Sequence, residues 1–499
     1  MSVYQIPFRN AIQAPQKGNL AWRFLQSCHE HQSQTALSNS GSSYSYNWLA
    51  EQSLKMAAVI NQHRQFKAGI HVGVHIENSI EYVVTFYGTL IAGGVVVPIP
   101  VTHGKNSLDR LCDLGKIQFV IDQPAFEELS ALTPQTLDVE FADPDSLAML
   151  MFTSGSTGQP KVVMLSHRNL TANADSILEF LPIDSSDRTL AMSPFSHALG
   201  NSVLQTHLLG GAELVCEPAA GYPQQIADTL ARRDCTSLIG VPDLFQGLCK
   251  CLCSRKLNNL KYMGVAGGRM DPQLALELQQ RISPAKLFLM YGQTEATARL
   301  AWLPTHSLAE HSDTIGQAIP GVQLKIVDDS GNEVEPGVIG MLLAKGQNIM
   351  QGYFNDPEAT SRVLKDGWLA TGDLARTDTQ GLIKICGRKN GLVKVLGYRF
   401  HPNEIEQTVQ SKMQDTQIVA TAFDFYGNTR VALFAHPIEG QHVSESELKS
   451  ICREFLPTYM VPQRFKIIEK WPLNSAGKIN RKELATIFDC QQKQISSQR

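Results

Sequence analysis

Residues 152–161 read Phe152-Thr153-Ser154-Gly155-Ser156-Thr157-Gly158-Gln159-Pro160-Lys161, directly after the apolar run SLAMLM (146–151). Glycines let a backbone approach an anion and turn its N–H groups toward it. The hydroxyls of Thr153, Ser154, Ser156 and Thr157 add donors, and Lys161 adds a positive charge. A Ser/Gly-rich surface loop is the plain alternative. Six of the seven residues from Thr153 to Gln159 are small or hydroxylated, and they lie between an apolar strand and a Pro-Lys pair, so the stretch reads as a phosphate cradle. It is not a Walker A loop: Pro160 rather than Gly precedes the lysine, and Val162 rather than Ser or Thr follows it.

A phosphate site of this kind has to be local, because the chain has no global basic field. Lys and Arg total 44 against 47 Asp and Glu, for a net charge of -3. That balance excludes an electrostatic grip on nucleic acid or on an anionic membrane. With 499 residues, 43% of them apolar, the chain exceeds what one core organises and calls for two or more domains. The ten cysteines are scattered and the N-terminus lacks a signal-peptide pattern, which together suggest a cytoplasmic protein with free thiols. Cys249, Cys251 and Cys253 alternate without a second Cys/His pair nearby, too few ligands for a closed tetrahedral metal site. Tyr82 to Pro100 runs nineteen residues without a charge. The Gly93-Gly94 pair and the Pro98-x-Pro100 ending divide it into an apolar helix, a turn and a buried strand, so no transmembrane segment is expected.

Short β-branched runs (71–76, 119–123, 212–216, 236–241) alternate with helical patterns such as 223–234, the mark of sheets layered with helices. From Gly316 to Gly387 the texture changes to short strands with turn signals, expected to form antiparallel hairpins. The expected fold is α/β: a large N-terminal domain of layered β-sheets and helices with a small β-barrel-like portion, then a small mobile α+β C-terminal domain. The boundaries expected are a tail at 1–20, the large domain at 21–388, the small domain at 389–490 and a tail at 491–499.

Further motifs follow in order: Tyr291-Gly292-Gln293-Thr294-Glu295, GWLATGD (367–373), Gly387-Arg388 with VKVLGY (393–398), and NSAGKI (474–479). With the 153–161 loop, these resemble the adenylate-forming (AMP-binding) superfamily over nearly the whole chain. That superfamily includes acyl- and aryl-CoA synthetases, peptide-synthetase adenylation domains and firefly luciferase. The resemblance implies a ligase of the acyl-CoA synthetase type. A carboxylate attacks the α-phosphate of ATP to give an acyl-adenylate and pyrophosphate, and a thiol of CoA or of a carrier-protein phosphopantetheine then displaces AMP.

The resemblance also implies roles for residues. Bringing a carboxylate to a triphosphate places like charges together, so cations and oriented donors are needed. Lys161 and the loop from Thr153 through Ser154, Gly155, Ser156, Thr157 and Gly158 are implied to hold the phosphates of ATP. Glu295 is similar to the family's Mg2+-contacting carboxylate; the bland reading is a carboxylate at the start of a helix running on from Ala296. Asp373 resembles the ribose-binding carboxylate and Arg388 its companion. Tyr291 is implied to stack on adenine, with Gly267, Gly268, Gly292, Gln293 and Thr294 lining the nucleotide. Lys478, otherwise an ordinary solvated lysine, matches the catalytic lysine that bridges carboxylate and α-phosphate. Lys389 and Asn390 fall at the family's hinge, where Asn390 replaces the usual Asp or Lys. A strand from Leu392 to Tyr398 would bring Lys394 and Gly397 to the thiol path. Val162 stands where the family usually has Gly.

The acid itself is less defined. SPFSHALGNSVLQ (193–205) occupies the substrate-selection motif and contains no Asp or Glu. A buried α-ammonium there would lack a partner, so a stand-alone amino-acid adenylation enzyme serving a peptidyl carrier is the weaker alternative. His197 resembles the gate histidine of the CoA synthetases, its bland reading being a satisfied pocket histidine. The small and apolar residues around it suggest an uncharged acyl or aryl chain. A luciferase-like oxidoreductase and a degenerate nucleotide-binding regulator are further readings. The regulator would require loss of Lys478, Glu295 or Asp373, and all three are present.

Overall fold

The computed structural model describes residues 18–63, 66–102, 105–135, 137–153, 160–217, 222–252, 257–391, 393–395, 398–413, 415–425, 428–438, 442–456, 460–473 and 478–496. Its contacts divide the chain into two compact units. One comprises residues 1–325, 343–371 and 378–384; the other comprises 326–342, 372–377 and 385–499.

In the first unit a nine-stranded sheet runs in the order 317–318, 301–303, 286–291, 262–265, 237–240, 188–190, 213–215, 35–38, 43–45. Its central strands Lys286–Tyr291, Tyr262–Val265, Ser237–Gly240 and Arg188–Leu190 are parallel. Their C-terminal ends therefore share one edge, the usual place for ligands in open α/β sheets. A six-stranded sheet orders as 352–353, 161–166, 147–153, 95–98, 71–75, 119–122. The apolar stretch at 82–100 resolves as expected into the helix Ile80–Ile91, a turn and the strand Val95–Pro98.

Period-two alternation sorts the strands' side chains into layers. Phe288 and Met290 enter a core shared by both sheets and the helices near residues 20–30, 46–62, 80–91 and 198–209. Leu287 and Leu289 face the helices Pro223–Arg232, Pro242–Cys251 and Pro272–Ile282. Ser79, Ser166 and Asp271 cap the helices Ile80–Ile91, His167–Phe180 and Pro272–Ile282, each accepting from backbone N–H groups of the first turn, and Pro272 sits where its missing N–H costs nothing. His71–His75 is buried over four of its five residues rather than alternating, because it lies between two parallel neighbours.

Strands 322–327, 340–346, 368–377 and 364–365 form a small sheet that 383–388 extends. In the second unit Thr416–Phe425 and Asn428–Pro437 pair antiparallel and Arg464–Ile467 adds in parallel. The helices Pro402–Gln410, Glu445–Phe455 and Arg481–Ser496 accompany them. Arg481 fastens the last helix: it reaches Glu406 at 3.0 Å and the Ala420 carbonyl at 2.6 Å. The strand expected over Leu392–Tyr398 is instead a hairpin, Val393–Val395 against Tyr398–Phe400. The motif pairs with its own continuation where a single extended run was expected. Among the described residues no helix is long and apolar enough to cross a membrane.

Candidate active site

Thr153 and Lys161 are register partners in the antiparallel strands Leu147–Thr153 and Lys161–Ser166. The cradle is thus the connection of a β-hairpin, unlike the strand-loop-helix of a P-loop. Ser154, Gly155, Ser156, Thr157 and Gly158 lie outside the described residues. Val162 is 5% exposed and packs with Val95, Val97 and Leu150, which gives its branched side chain an apolar role at the foot of the hairpin.

Lys161 Nζ lies 4.4 Å above the ring of Tyr353. The Tyr353 hydroxyl donates to Glu295 Oε1 at 2.9 Å. Burial, and then the charge of Glu295, push the Tyr353 hydroxyl pKa upward, so it remains a donor. One buried tyrosine thus meets a lysine over its ring and a carboxylate at its hydroxyl. Sequence reasoning passed over Tyr353, whose only signal was a Gly-Tyr pair in an unremarked strand (352–353).

Glu295 does not begin a longer helix. It sits in one 3-10 turn, Thr294–Ala296, closed by Thr297 at φ 66. A β-branched residue in the left-handed region is strained and persists only when neighbours hold it. The Thr297 hydroxyl donates to the Asn348 carbonyl at 2.7 Å, Asn348 Nδ2 donates to the Ala296 carbonyl at 3.2 Å, and Met350 N donates to the Glu295 carbonyl at 3.0 Å. Gly292 is required by space: a Cβ there would lie 1.8 Å from the Ala298 carbonyl oxygen. Tyr291 ends its strand, and Gln293 precedes the turn.

Gly267 and Gly268 follow the adjacent strand Tyr262–Val265, with Gly267 at φ 80. Its need for glycine comes from that backbone angle, since a Cβ would meet nothing closer than 3.4 Å. His197, exposed, is the N-cap residue of the helix Ala198–Leu209 and makes no side-chain capping bond. The loop before it is pinned from below. Asn78 Nδ2 donates to the carbonyls of Ala191 and Ser193 at 3.0 and 2.8 Å, Phe195 N donates to Asn78 Oδ1 at 2.7 Å, and the Tyr82 hydroxyl donates to the Phe195 carbonyl at 3.1 Å. Thus His197, Gly267, Gly268 and the 291–295 turn all follow the C-terminal ends of neighbouring parallel strands.

In the second unit Asp373, buried, pairs with the exposed Arg388, Nε to Oδ1 at 2.7 Å. Lys389 Nζ lies 3.5 Å from Asp329 Oδ1. Lys389, Asn390 and Gly391 form a 3-10 turn. His401 was not expected to matter, yet its ring lies against both glycines that frame this turn: a Cβ on Gly387 or Gly391 would come within 2.3 Å of it. His401 also caps the helix Pro402–Gln410, its Nδ1 accepting from Asn403 N at 3.1 Å. Lys394 pairs with Arg399 through the backbone of the hairpin, and Gly397 lies outside the described residues. Lys478 is exposed; it follows residues outside the described set and is framed by a bridge between Leu473 and Ile479.

Residues 24–354 match the family of AMP-binding enzymes. The chain is 29% identical to a long-chain-fatty-acid–CoA ligase of Salmonella typhimurium, covering 92% of this chain and 93% of that one. It is also 29% identical to tyrocidine synthase 3 of Brevibacillus parabrevis, over 90% of this chain and 7% of that protein. A solved structure of O-succinylbenzoate coenzyme A synthetase from Bacillus subtilis, in complex with ATP and magnesium ion, shares the fold. Its TM-score is 0.84 at 23% identity, covering 93% of this chain and 98% of that one. The chain belongs to the AMP-binding enzyme family. Within it, this is an enzyme of the adenylate-forming acid–thiol ligase class.

Proposed function

We propose that the enzyme joins a small carboxylic acid to the thiol of CoA or of a carrier-protein phosphopantetheine, in two half-reactions that use ATP. In the first, a carboxylate oxygen bonds to the α-phosphorus and the bond from that phosphorus to the departing pyrophosphate breaks, leaving an acyl-adenylate. In the second, the thiol sulfur bonds to the acyl carbon, the bond from that carbon to the adenylate oxygen breaks, and AMP leaves as the thiol proton passes to solvent.

The observation that carries this reading is the Lys161–Tyr353–Glu295 arrangement beside the strand ends. It supplies a cation for departing phosphates and a positioned carboxylate within one small volume. Glu295 accepts one hydrogen bond from Tyr353, so most of its lone pairs remain for a hard cation, a donor set that fits Mg2+. When bound, that ion neutralises phosphate charge. The remaining assignments rest on motif position: Thr153 to Gly158 and Lys161 on phosphates, Tyr291, Gly292, Gln293, Thr294, Gly267 and Gly268 around the base, and Asp373 and Arg388 at the ribose. Lys478 is the residue for charge at the reacting carboxylate and α-phosphate, and His197 the gate.

We assign residues 21–388 to adenylation and 389–490 to a part that turns about Lys389 and Asn390, so that Lys394 and Gly397 serve the thiol path after Lys478 has left. Cys28, Cys112, Cys216, Cys235 and Cys452 carry free thiols, which supports a reducing, cytoplasmic setting. The test is carboxylate-dependent pyrophosphate exchange across fatty, aryl and amino acids, with mass spectrometry of products formed with CoA or a holo carrier protein. Exchange with a fatty or aryl acid and a thioester product is expected. A response to amino acids alone overturns the reading of residues 193–205, and no exchange with any acid overturns the ligase assignment.

A further inference from the structure

Arg299 lies four residues beyond Glu295 and is 3% exposed. Its guanidinium carries five N–H donors and no acceptor. Among the described residues its side chain hydrogen-bonds to the Met290 sulfur at 3.4 Å and the Ala298 carbonyl at 3.5 Å, and no carboxylate pairs with it. Burial lowers its pKa to about 10, so it remains charged at neutral pH. An arginine in this state is costly unless something else completes its coordination.

Its position is fixed with unusual thoroughness. Asn173 Nδ2 and Asn348 Nδ2 both donate to the Arg299 carbonyl at 3.0 Å, and both amides are buried. Asn348 is the same residue that clamps the Glu295 turn. Leu300 N donates to the Tyr291 carbonyl at 2.8 Å, which draws residue 299 against the end of that strand. The direction of the side chain follows from its contact. Met290 is the residue just before Tyr291, and it faces the core between the two sheets rather than the outer helices. The guanidinium therefore lies against Met290, on the inward face of the strand that ends at Tyr291.

We propose that Arg299 selects the acid: it pairs with a second carboxylate at the far end of the substrate, while the reacting carboxylate stays at the mouth with Lys161 and Glu295. The inference rests on the ligase reading above and deepens it. It departs from the uncharged chain expected from residues 193–205, because Arg299 lies outside that stretch and reaches the interior from another segment. The substrate supplies the missing acceptors. A monocarboxylate of the same length leaves the buried cation without an anionic partner, and sites that hydrogen-bond a substrate group discriminate strongly against analogues lacking it.

The experiment measures pyrophosphate exchange with length-matched pairs of acids, hexanoate with adipate and 4-methylbenzoate with terephthalate, on wild type, R299K and R299M. Wild type is expected to prefer the dicarboxylate of at least one pair by about a hundredfold in kcat/KM. R299M, of similar length and uncharged, should reverse that preference through the KM of the acid while the KM for ATP stays unchanged. R299K should retain part of it. Wild type favouring the monocarboxylates in both pairs overturns the proposal, and this result does not depend on any variant folding. A dicarboxylate preference that survives in folded R299M also overturns it, and a raised KM for ATP would assign the guanidinium to phosphate instead. Exchange with monocarboxylates alone leaves the ligase reading intact while removing this one; failure of exchange with every acid, including the wider panel above, removes both.

Discussion

At the scale of single residues, the site depends on side chains that motif reading could not weigh. Glu295 and Lys161 were legible because their residue types announce charge chemistry in Gly- and hydroxyl-rich surroundings. Tyr353, Asn348 and Arg299 were not, because their importance comes from contacts across more than fifty residues of sequence or from burial, neither of which has a local signature. Tyr353→Phe deletes one charge-assisted hydrogen bond and preserves the ring under Lys161. Pyrophosphate exchange should fall about tenfold, with a weaker response to Mg2+, consistent with the loss of a hydrogen bond to a charged group. Unchanged kcat and Mg2+ dependence would show that Glu295 needs no such support.

At the scale of elements, two turns carry constraints that a substitution can probe. Gly292→Ala places a methyl group 1.8 Å from the Ala298 carbonyl oxygen, an approach backbone atoms must move to relieve. A loss of about 1–3 kcal/mol in stability is expected from denaturant titration, with loss of exchange activity as the 293–297 turn shifts. Gly391→Ala drives a methyl group toward the His401 ring, beside the turn that bears Lys389 and Asn390. The proposed rotation predicts that thioester formation slows more than adenylate formation; equal effects on both half-reactions would contradict a hinge there. Secondary structure was largely readable at this scale. Periodicity and Gly/Pro punctuation located the helix Ile80–Ile91 and the strands at 95–98, 119–122 and 237–240. It failed at 393–400, where one strand became two, while at Glu295 the turn closed by Thr297 excludes the bland reading of a helix running on from Ala296.

At the scale of the whole molecule, burial has a signature in acid. His167, His207 and His401 each have a pKa lowered to about 4, chiefly by burial. A depressed histidine pKa means the unfolded chain binds the proton first. The stability these neutral rings contribute is complete above about pH 6.5 and is lost as pH falls toward 4. The melting temperature should drop across that window, and His207→Gln should make the drop shallower; a flat profile would show that the rings take up protons as readily in the native state as in the unfolded chain. The broad architecture was legible because alternating strands and helices admit few solutions, and because the motifs recur in a fixed order. The proposed chemistry requires Lys478 to act in the first half-reaction and not the second. Comparing wild type with Lys478→Ala in carboxylate-dependent pyrophosphate exchange, and in thiolysis of a supplied acyl-adenylate, measures that division directly. Exchange should be abolished while thiolysis continues near the wild-type rate; near-normal exchange by the variant would contradict it.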